Sequence, residues 1–247
     1  TNGTGTGVFT SAITGLIPGV IYHVRSYATN DVGTSYGSDV QFTATIKDAS
    51  GNSYTETVIG TQTWLKENLK TLKYNDNSDI PYALSSANWI LENGTIGHDG
   101  ACGDVTGDSG NRAVYGIQYN WHTANNAKGI APAGYHIPSV TEINTLMAEL
   151  GGTGLAGGAM KETGTTHWTP NNVGATNSSG FTAVPAGYRN GTTGNYDLFN
   201  TYNIIFTATS VNALNANRCY LAGTDDNLVV DASGFKADGY TIRCIKN

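Results

Sequence analysis

The chain has 247 residues, of which 13% are charged and 32 are glycine, and a chain of this length forms one large domain plus a smaller one. Its apolar and aromatic content excludes a disordered chain, and its many Gly, Tyr, Asn, Thr and Ser residues are typical of secreted β-rich proteins. With 13 Lys plus Arg and a net charge of −6 it has no basic stripe for nucleic acid, and no apolar run reaches the ~20 residues that span a membrane.

The first 44 residues predict a small antiparallel β-unit. Residues 8–10 and 22–29 have strand composition, with apolar alternation in the second segment, and a last strand runs to Phe42. The stretch from Gly15 to Gly33 resembles the last strands of a fibronectin type III domain. We therefore place a domain boundary between residues 1–44 and 45–247. Such a unit is marginal alone, so we expect it to pack on the following domain.

Beyond residue 45 the pattern predicts a hairpin over residues 46–54, a strand over 58–64 and a short helix or turn over 65–72. One helix is well marked at residues 141–150, where Ser139 and Glu142 form a capping box and Gly151 and Gly152 end the helix. We expect exposed loops between Trp168 and Lys236. The alternating segment 239–245 is a final strand that returns to pair near the first strand of this domain.

Five sequence blocks occur in order along residues 46–247. They are WLKENLKT at 64–71, YGIQYNW at 115–121, PAGYHIPS at 132–139, GFTAVPAGYR at 180–189 and GYTIRC at 239–244. Together these blocks resemble the Fibrobacter succinogenes major paralogous domain. The resemblance implies an α+β, C-type-lectin-like fold, a bacterial secreted or cell-surface protein, and ligand binding.

One segment departs from the family pattern. Residues 206–209 read FTAT where the family usually has WSST, and residues 169–235 contain no Lys, Glu, Gln, Met or Trp. Those five types are the ones that an AAC codon cannot reach when its adenines are randomised. The segment is therefore typical of a variable protein diversified by a retroelement, with exposed loop positions between Thr207 and Asp231 as targets. The alternative is that turn-rich secreted sequence is simply poor in long charged residues.

We expect the ligand contacts to come from this segment, because Tyr and Asn give adaptable contact area at modest entropic cost. The candidates are Tyr202, Asn203, Thr207, Thr209, Asn212, Asn215, Asn217, Arg218, Tyr220, Asp225, Asp226 and Asn227. The ligand is expected to be a protein or a carbohydrate on another cell or surface.

No catalytic residues and no cofactor are predicted. Residues 33–37 match G-x-S-x-G but lie in a hairpin, without the strand-to-helix turn that a hydrolase needs. Asp99, Asp104 and Asp108 in a Gly-rich loop are weak candidates for metal ligands, and solvated turns are the simpler interpretation. A formylglycine-generating type of enzyme shares the lectin-like fold, but the cysteine arrangement does not support that chemistry.

The three cysteines are too far apart in sequence for a zinc knuckle or a redox pair, which favours one disulfide and one spare thiol. Family position implies that Cys102 pairs with Cys244, and pairing of Cys219 with Cys244 is the alternative. Trp64 and Trp121 are expected in the core, whereas Trp89 and Trp168 are less committed and are candidates for stacking on sugars.

The leading hypothesis is an extracellular, non-catalytic binding module that displays variable loops on a lectin-like frame. The alternative is a structural or assembly module of a bacterial surface protein or fimbria, in which the N-terminal unit pairs with a neighbour by strand addition and forms an oligomer.

Overall fold

The computed structural model describes residues 7–11, 13, 16, 19–83, 85–91, 100–169 and 171–247. The chain forms two compact units, Thr1–Ile46 and Lys47–Asn247. Antiparallel strands are many and helices few, so the predicted mixed α+β class is confirmed at that level. No helix among the described residues is long and apolar enough to cross a membrane.

The strands, in chain order, are β1 (Ile21–Val24), β2 (Tyr27–Asn30), β3 (Gly33–Tyr36), β4 (Val40–Thr43), β5 (Ile46–Lys47), β6 (Ser53–Tyr54), β7 (Glu56–Ile59), β8 (Gln62–Leu65), β9 (Cys102–Asp104), β10 (Ile117–Tyr119), β11 (Tyr135–His136), β12 (Tyr188–Arg189), β13 (Tyr196–Asp197), β14 (Tyr202–Ser210), β15 (Asn215–Ala222), β16 (Leu228–Phe235) and β17 (Ile245–Lys246). The helices are α1 (Ser86–Leu91), α2 (Arg112–Tyr115), α3 (Trp121–Ala124), α4 (Val140–Glu149) and α5 (Thr153–Met160), with 3-10 turns at Val105–Gly107 and Ser109–Asn111.

The first unit consists of two antiparallel pairs, β1 with β4 and β2 with β3. Apolar alternation forms one face of the β1–β4 pair, where the rings of Tyr22 and Phe42 stack with their centroids 6.0 Å apart. Residues 8–10 are exposed and lie outside any strand, so the strand predicted there is wrong.

The second unit is closed by its last strand. β17 lies between β11 and β8 in a four-stranded sheet, and Ile245 pairs with Trp64. The predicted return of the final strand is confirmed. Of the short helix or turn predicted over residues 65–72, no helix forms: residues 66 and 67 bend, and Leu69 bonds to Ile242 on one side and to Ile117 on the other.

Helix α4 begins where its capping box predicts. The Ser139 hydroxyl accepts from the Glu142 N–H, and the Glu142 carboxylate accepts from the Ser139 N–H at 2.7 Å. Ile143 and Leu146 bury the apolar face of the helix in the main core. The helix prediction and its start are therefore confirmed.

The region predicted as projecting loops instead forms the three-stranded antiparallel sheet β14–β15–β16. One face of this sheet is apolar and joins the main core, through Ile205, Cys219, Leu221, Leu228 and Val230. These core residues lie at alternate positions along each strand, as the two-residue period of a strand requires, and β14 is also buried on its other side, through Ile204 and Phe206. The loop prediction is wrong for these three strands, which only the turns at 211–214 and 223–227 connect, whereas most of the described residues between 171 and 201 lie outside helices and strands.

Three buried cationic side chains hold the turn-rich segments of the second unit together by hydrogen bonds. The Lys161 ammonium donates to the carbonyls of Val173 (2.7 Å), Ala222 (2.9 Å) and Asp225 (2.6 Å). No described carboxylate forms an ion pair with it, and burial lowers the pKa of Lys161. A buried charge is tolerated only when its hydrogen bonds are satisfied, so these carbonyls must stay in place.

Two arginines from the sequence blocks at 180–189 and 239–244 are buried in a similar way. Arg189 donates to the carbonyls of Ala83 (2.8 Å) and Gly194 (3.1 Å), and its guanidinium lies 4.7 Å from the ring centroid of Trp89. Arg243 donates to the carbonyl of Phe181 (2.6 Å) and to Asn68 Oδ1 (2.8 Å). Burial lowers the pKa of both arginines.

Helix α5 packs closely against the turn between β15 and β16, because it has a glycine where the backbone of that turn approaches. A Cβ on Gly157 would lie 2.2 Å from the carbonyl oxygen of Asn227, whereas a Cβ on Gly154 of the same helix would meet nothing nearer than 3.9 Å. The first position therefore has no room for a side chain.

These two glycines form a matched pair of substitutions. Gly157→Ala should destabilise the protein by about 1–3 kcal/mol, because the β15–β16 turn must move. Gly154→Ala should be neutral or stabilising by up to ~1 kcal/mol, because it improves helix propensity without a clash. Urea unfolding of both variants measures the difference, and equal stabilities would refute this packing.

Candidate functional site

A groove of about 270 Å³ lies on the face of β14 and β15 that does not join the main core. Strand register sets this face, because Ile204 pairs with Tyr220 and Phe206 pairs with Arg218. The lining residues are Tyr188, Leu198, Tyr202, Ile204, Arg218, Tyr220 and Asp238. The groove side chains therefore alternate with core side chains along the same strands.

A bridge between two segments completes the groove. Arg189 and Gly239 exchange backbone hydrogen bonds of 2.9 and 2.7 Å in an antiparallel bridge, which places Tyr188 opposite Tyr240, and Tyr188 and Asp238 both line the groove. The indole of Trp89 donates to the carbonyl of Ala237 at 3.2 Å. Gly239 is needed here, since an added Cβ would lie 2.7 Å from that indole ring.

A chain of hydrogen bonds crosses the floor of the groove. Arg218 Nε donates to Asp231 Oδ1 at 3.2 Å, and Arg218 Nη1 donates to Tyr240 Oη at 2.6 Å. The Tyr240 hydroxyl donates in turn to Asp238 Oδ2 at 2.6 Å, and Asp238 Oδ1 accepts from the Gly191 N–H at 2.8 Å. Each of these polar groups is thus held in a fixed orientation.

Burial sets the electrostatics of this floor. Burial raises the pKa of Asp238, although hydrogen bonds from Tyr240 and Gly191 oppose the shift. Burial also raises the pKa of Tyr240, helped by the charge of Asp238. Burial opposes the charge of Arg218, but Tyr240 and Asp231 outweigh that effect and its pKa is raised.

Tyrosine rings form the rest of the groove. Tyr202 and Tyr220 have centroids 6.0 Å apart, and Tyr188 lies 5.8 Å from Tyr240. Leu198 at the rim has a left-handed backbone with φ of 58°, a conformation that costs a leucine on the order of 1–3 kcal/mol. This arrangement offers flat apolar faces, hydroxyls, one guanidinium and one carboxylate.

Residues 58–246 match the Fibrobacter succinogenes major domain (Fib_succ_major). The chain belongs to this family. The predicted family resemblance is thereby confirmed, and the matched region contains the whole groove. No curated protein and no solved structure matches the chain.

Within the Fibrobacter succinogenes major domain, the predicted contact residues fall into separate places. Tyr202, Arg218 and Tyr220 line the groove. Asn212 and Asn215 lie at the β14–β15 turn, where Asn212 Oδ1 accepts from two backbone N–H groups. The remaining candidates are not brought together with the groove.

Two of the predicted contacts are wrong because they are fully buried. Asn203 and Thr207 point to the core side of β14 and have no exposed surface. The Asn203 amide donates to the carbonyl of Val184 at 2.7 Å, and the Thr207 hydroxyl donates to the carbonyl of Asn217 at 2.8 Å. Both are structural residues of the frame.

The other candidates support turns and strand ends. Thr209 Oγ1 accepts from the Val140 N–H at the start of α4, and Asn217 donates weakly to the Thr209 carbonyl at 3.4 Å. Asp225 accepts from the Asn227 N–H, and its carbonyl binds Lys161. The Asp226 carbonyl accepts from Gly158, so the turn at 225–227 is packed against α5.

The weak metal candidates have other roles. Both carboxylate oxygens of Asp104 accept from Arg112 at 2.7 Å, and Tyr82 donates to the same group. Asp108 accepts from the Gly110 N–H. Asp99 lies outside the described residues. No group of three or more His, Cys, Asp or Glu in the described part of the chain is arranged to hold a metal ion.

The three cysteines are buried free thiols, so the structure contradicts the disulfide expected between Cys102 and Cys244. Strand β10 intervenes, because Tyr119 pairs with Cys102 on one side and with Tyr240 on the other. Strand β14 likewise separates Cys219 from the C-terminal segment, since Ile205 pairs with both Cys219 and Thr241. Two strand spacings are roughly 10 Å, beyond the ~7 Å Cα separation that a disulfide tolerates.

Sequence reasoning missed four groove residues, namely Tyr188, Leu198, Ile204 and Asp238. Tyr188 lies within the GFTAVPAGYR block, and Asp238 directly precedes the GYTIRC block. The signal was their position next to Arg189 and Gly239, two residues that pair. Trp89 and Trp168, considered for sugar stacking, are fully buried and therefore unavailable.

The raised pKa of Asp238 makes a testable prediction about stability. A carboxyl whose folded pKa lies above its unfolded value, about 3.9, destabilises the fold as the pH rises and the group ionises. Asp238→Asn mimics the neutral form, so it should unfold at the same or a higher temperature than the parent at pH 7. The difference should shrink as the pH falls toward 4, as measured by thermal unfolding across that range.

Asp76→Asn is the matched control. Hydrogen bonds from Ser78 lower the pKa of Asp76, so removal of this charge should not stabilise the protein at pH 7. A strongly destabilised Asp238→Asn variant at pH 7 would show instead that the carboxylate is a structural group.

Proposed function

We propose that the chain is an extracellular, non-catalytic binding module that recognises its ligand through the tyrosine-lined groove, on a C-type-lectin-like frame. The observation that carries this proposal is Asp238, a buried carboxylate that faces the groove at the end of an ordered hydrogen-bond chain. Burial of a carboxylate costs stability even when hydrogen bonds offset part of that cost, and groups with a pKa shifted in this way cluster at functional sites.

The size of the groove supports recognition of part of a larger ligand. Pockets that enclose a whole small molecule measure roughly 300–1,000 Å³, and this groove of about 270 Å³ falls just below that range. It fits one side chain or one sugar ring. We therefore propose a macromolecular ligand of which one residue enters the groove.

The chemistry of the thiols supports a non-catalytic role. Burial raises the pKa of all three cysteines, that of Cys219 to about 12. A thiol is nucleophilic only as the thiolate, so these groups are inert at neutral pH. No histidine and no hydroxyl nucleophile paired with a base lines the groove among the described residues.

The segment lacking Lys, Glu, Gln, Met and Trp includes β14, β15 and β16, and so carries most of the groove. Tyr202, Ile204, Arg218, Tyr220 and Asp231 are all residue types that an adenine-randomised AAC codon reaches. We include diversification by a retroelement in the proposal on this basis, with strand positions as targets. Sequencing of the downstream genomic DNA tests it: a near-copy differing mainly at adenines is expected, and its absence rejects diversification.

A binding experiment with groove variants tests the main proposal. The parent chain is applied to glycan and protein arrays, and the strongest ligand is then titrated against Tyr202→Ala and Tyr220→Ala. Both residues are only half-buried, so the fold should persist while affinity falls by at least about tenfold.

Tyr36→Ala is the matched control, because Tyr36 is 68% exposed and lies in the first unit. It should leave affinity unchanged. Equal affinities for the parent and both groove variants would reject the groove as the recognition site.

A second candidate function is assembly through the first unit. Its two sheets contain only two strands each among the described residues, and Tyr27, Tyr36 and Val40 leave more than half of their surface exposed. Unpaired strand edges with exposed apolar side chains are sites for strand addition.

Sedimentation velocity over a range of concentrations tests the assembly function. Self-association that Val40→Lys removes, and that Val58→Lys leaves intact, would favour assembly. Val58 is 68% exposed on β7 of the second unit and is therefore a matched exposed valine. A chain that stays monomeric at all concentrations would exclude self-assembly.

A further inference from the structure

The groove is surrounded by more negative than positive charge. Asp238 lines the groove, Asp231 pairs with Arg218, and the charge of Asp197 acts on both Tyr188 and Asp238. Arg218 is the one cation among the described lining residues. Asp238 and Arg218 are thus the charged residues that line the groove, and the carboxylates of Asp231 and Asp197 lie close enough to act on its groups.

Arg218 is already committed within the protein. Its three nitrogens donate to Asp231, Tyr240 and Ser233, and its guanidinium lies 5.4 Å from the ring centroid of Tyr240. Since Asp231 offsets its charge, Arg218 is not available as an anion site. The surplus charge in the groove is that of Asp238 with Asp197 nearby.

The tyrosine faces and the carboxylate of the groove can both attract a cation. An aromatic ring attracts a cation through its quadrupole, with about 0.5–2 kcal/mol per contact. The Asp238 carboxylate keeps accepting capacity beyond its bonds to Tyr240 and Gly191. The long apolar stems of Lys and Arg also pack well on aromatic faces.

We infer that the groove receives a cationic side chain, a lysine or an arginine of a partner protein, with its charge facing Asp238 and its stem against Tyr188, Tyr202 and Tyr220. This inference rests on the proposed function of the groove and names the ligand class. A neutral sugar would use the same ring faces without needing the surplus negative charge, and its binding is therefore one outcome of the test.

Calorimetric titration of the full chain with two peptides tests the inference. The probe is a peptide of four glycine-lysine repeats with blocked ends, and its counterpart carries Nε-acetyl-lysine, which keeps the stem and removes the charge. Neutral oligosaccharides form a third series. Binding of the lysine peptide, with acetylation weakening it at least tenfold, is expected.

Variants show whether that binding occurs in the groove. Asp238→Asn and Tyr202→Leu should each weaken the lysine peptide by about tenfold, which is 1.4 kcal/mol, whereas Tyr202→Phe should retain binding because the ring remains. Asp108→Asn is the control for non-specific attraction of a basic peptide to an acidic protein, and it should change nothing.

The outcomes separate the two proposals. Equal binding of both peptides, or binding of a neutral saccharide that Tyr202→Leu abolishes, would overturn the cationic ligand and leave the groove as a recognition site. Lysine-peptide binding that Asp238→Asn and Tyr202→Leu do not alter would place the contact elsewhere and reject the inference. Absence of any groove-dependent binding, in these titrations and on the arrays, would overturn both.

Discussion

The second unit depends on buried cations that bind backbone carbonyls instead of carboxylates. Lys161, Arg189 and Arg243 each lie at 1% exposure or less, and each joins segments that have little regular structure. Because an unsatisfied buried charge costs several kcal/mol, every carbonyl in these sets is held firmly. Long turn-rich stretches are thereby fixed with few helices.

One face of β14 and β15 belongs to this frame, and the other face lines the groove. β14 and β15 place Ile205, Cys219 and Leu221 in the core, and the alternate residues face the groove. Arg189 also organises the site indirectly, because its backbone pairs with Gly239 in an antiparallel bridge and so places Tyr188 opposite Tyr240. Frame and site thus share strands but use opposite faces.

Local patterns in the sequence predicted the parts of this fold that local physics determines. The capping box of α4 satisfies backbone donors at the start of the same helix. The alternation at 239–245 indicates an extended segment whatever its pairing partner is. The sequence analysis predicts loops where the sheet β14–β16 forms, and it places Asn203 and Thr207 in contact with ligand, whereas both side chains are buried and bonded to carbonyls of other segments. The structure of these segments depends on partners that are far apart in sequence. The same is true of the free cysteines and of the Asp238 carboxylate in the groove.

The central claim is that the groove side of β14 and β15 is the recognition surface. Backbone amide chemical-shift mapping tests it most directly, with the isotope-labelled full chain and the strongest ligand from the arrays. The largest shifts are expected at Tyr188, Tyr202, Arg218, Tyr220 and Asp238, with little change at residues 211–214. Shifts confined to that turn or to the first unit would contradict the claim.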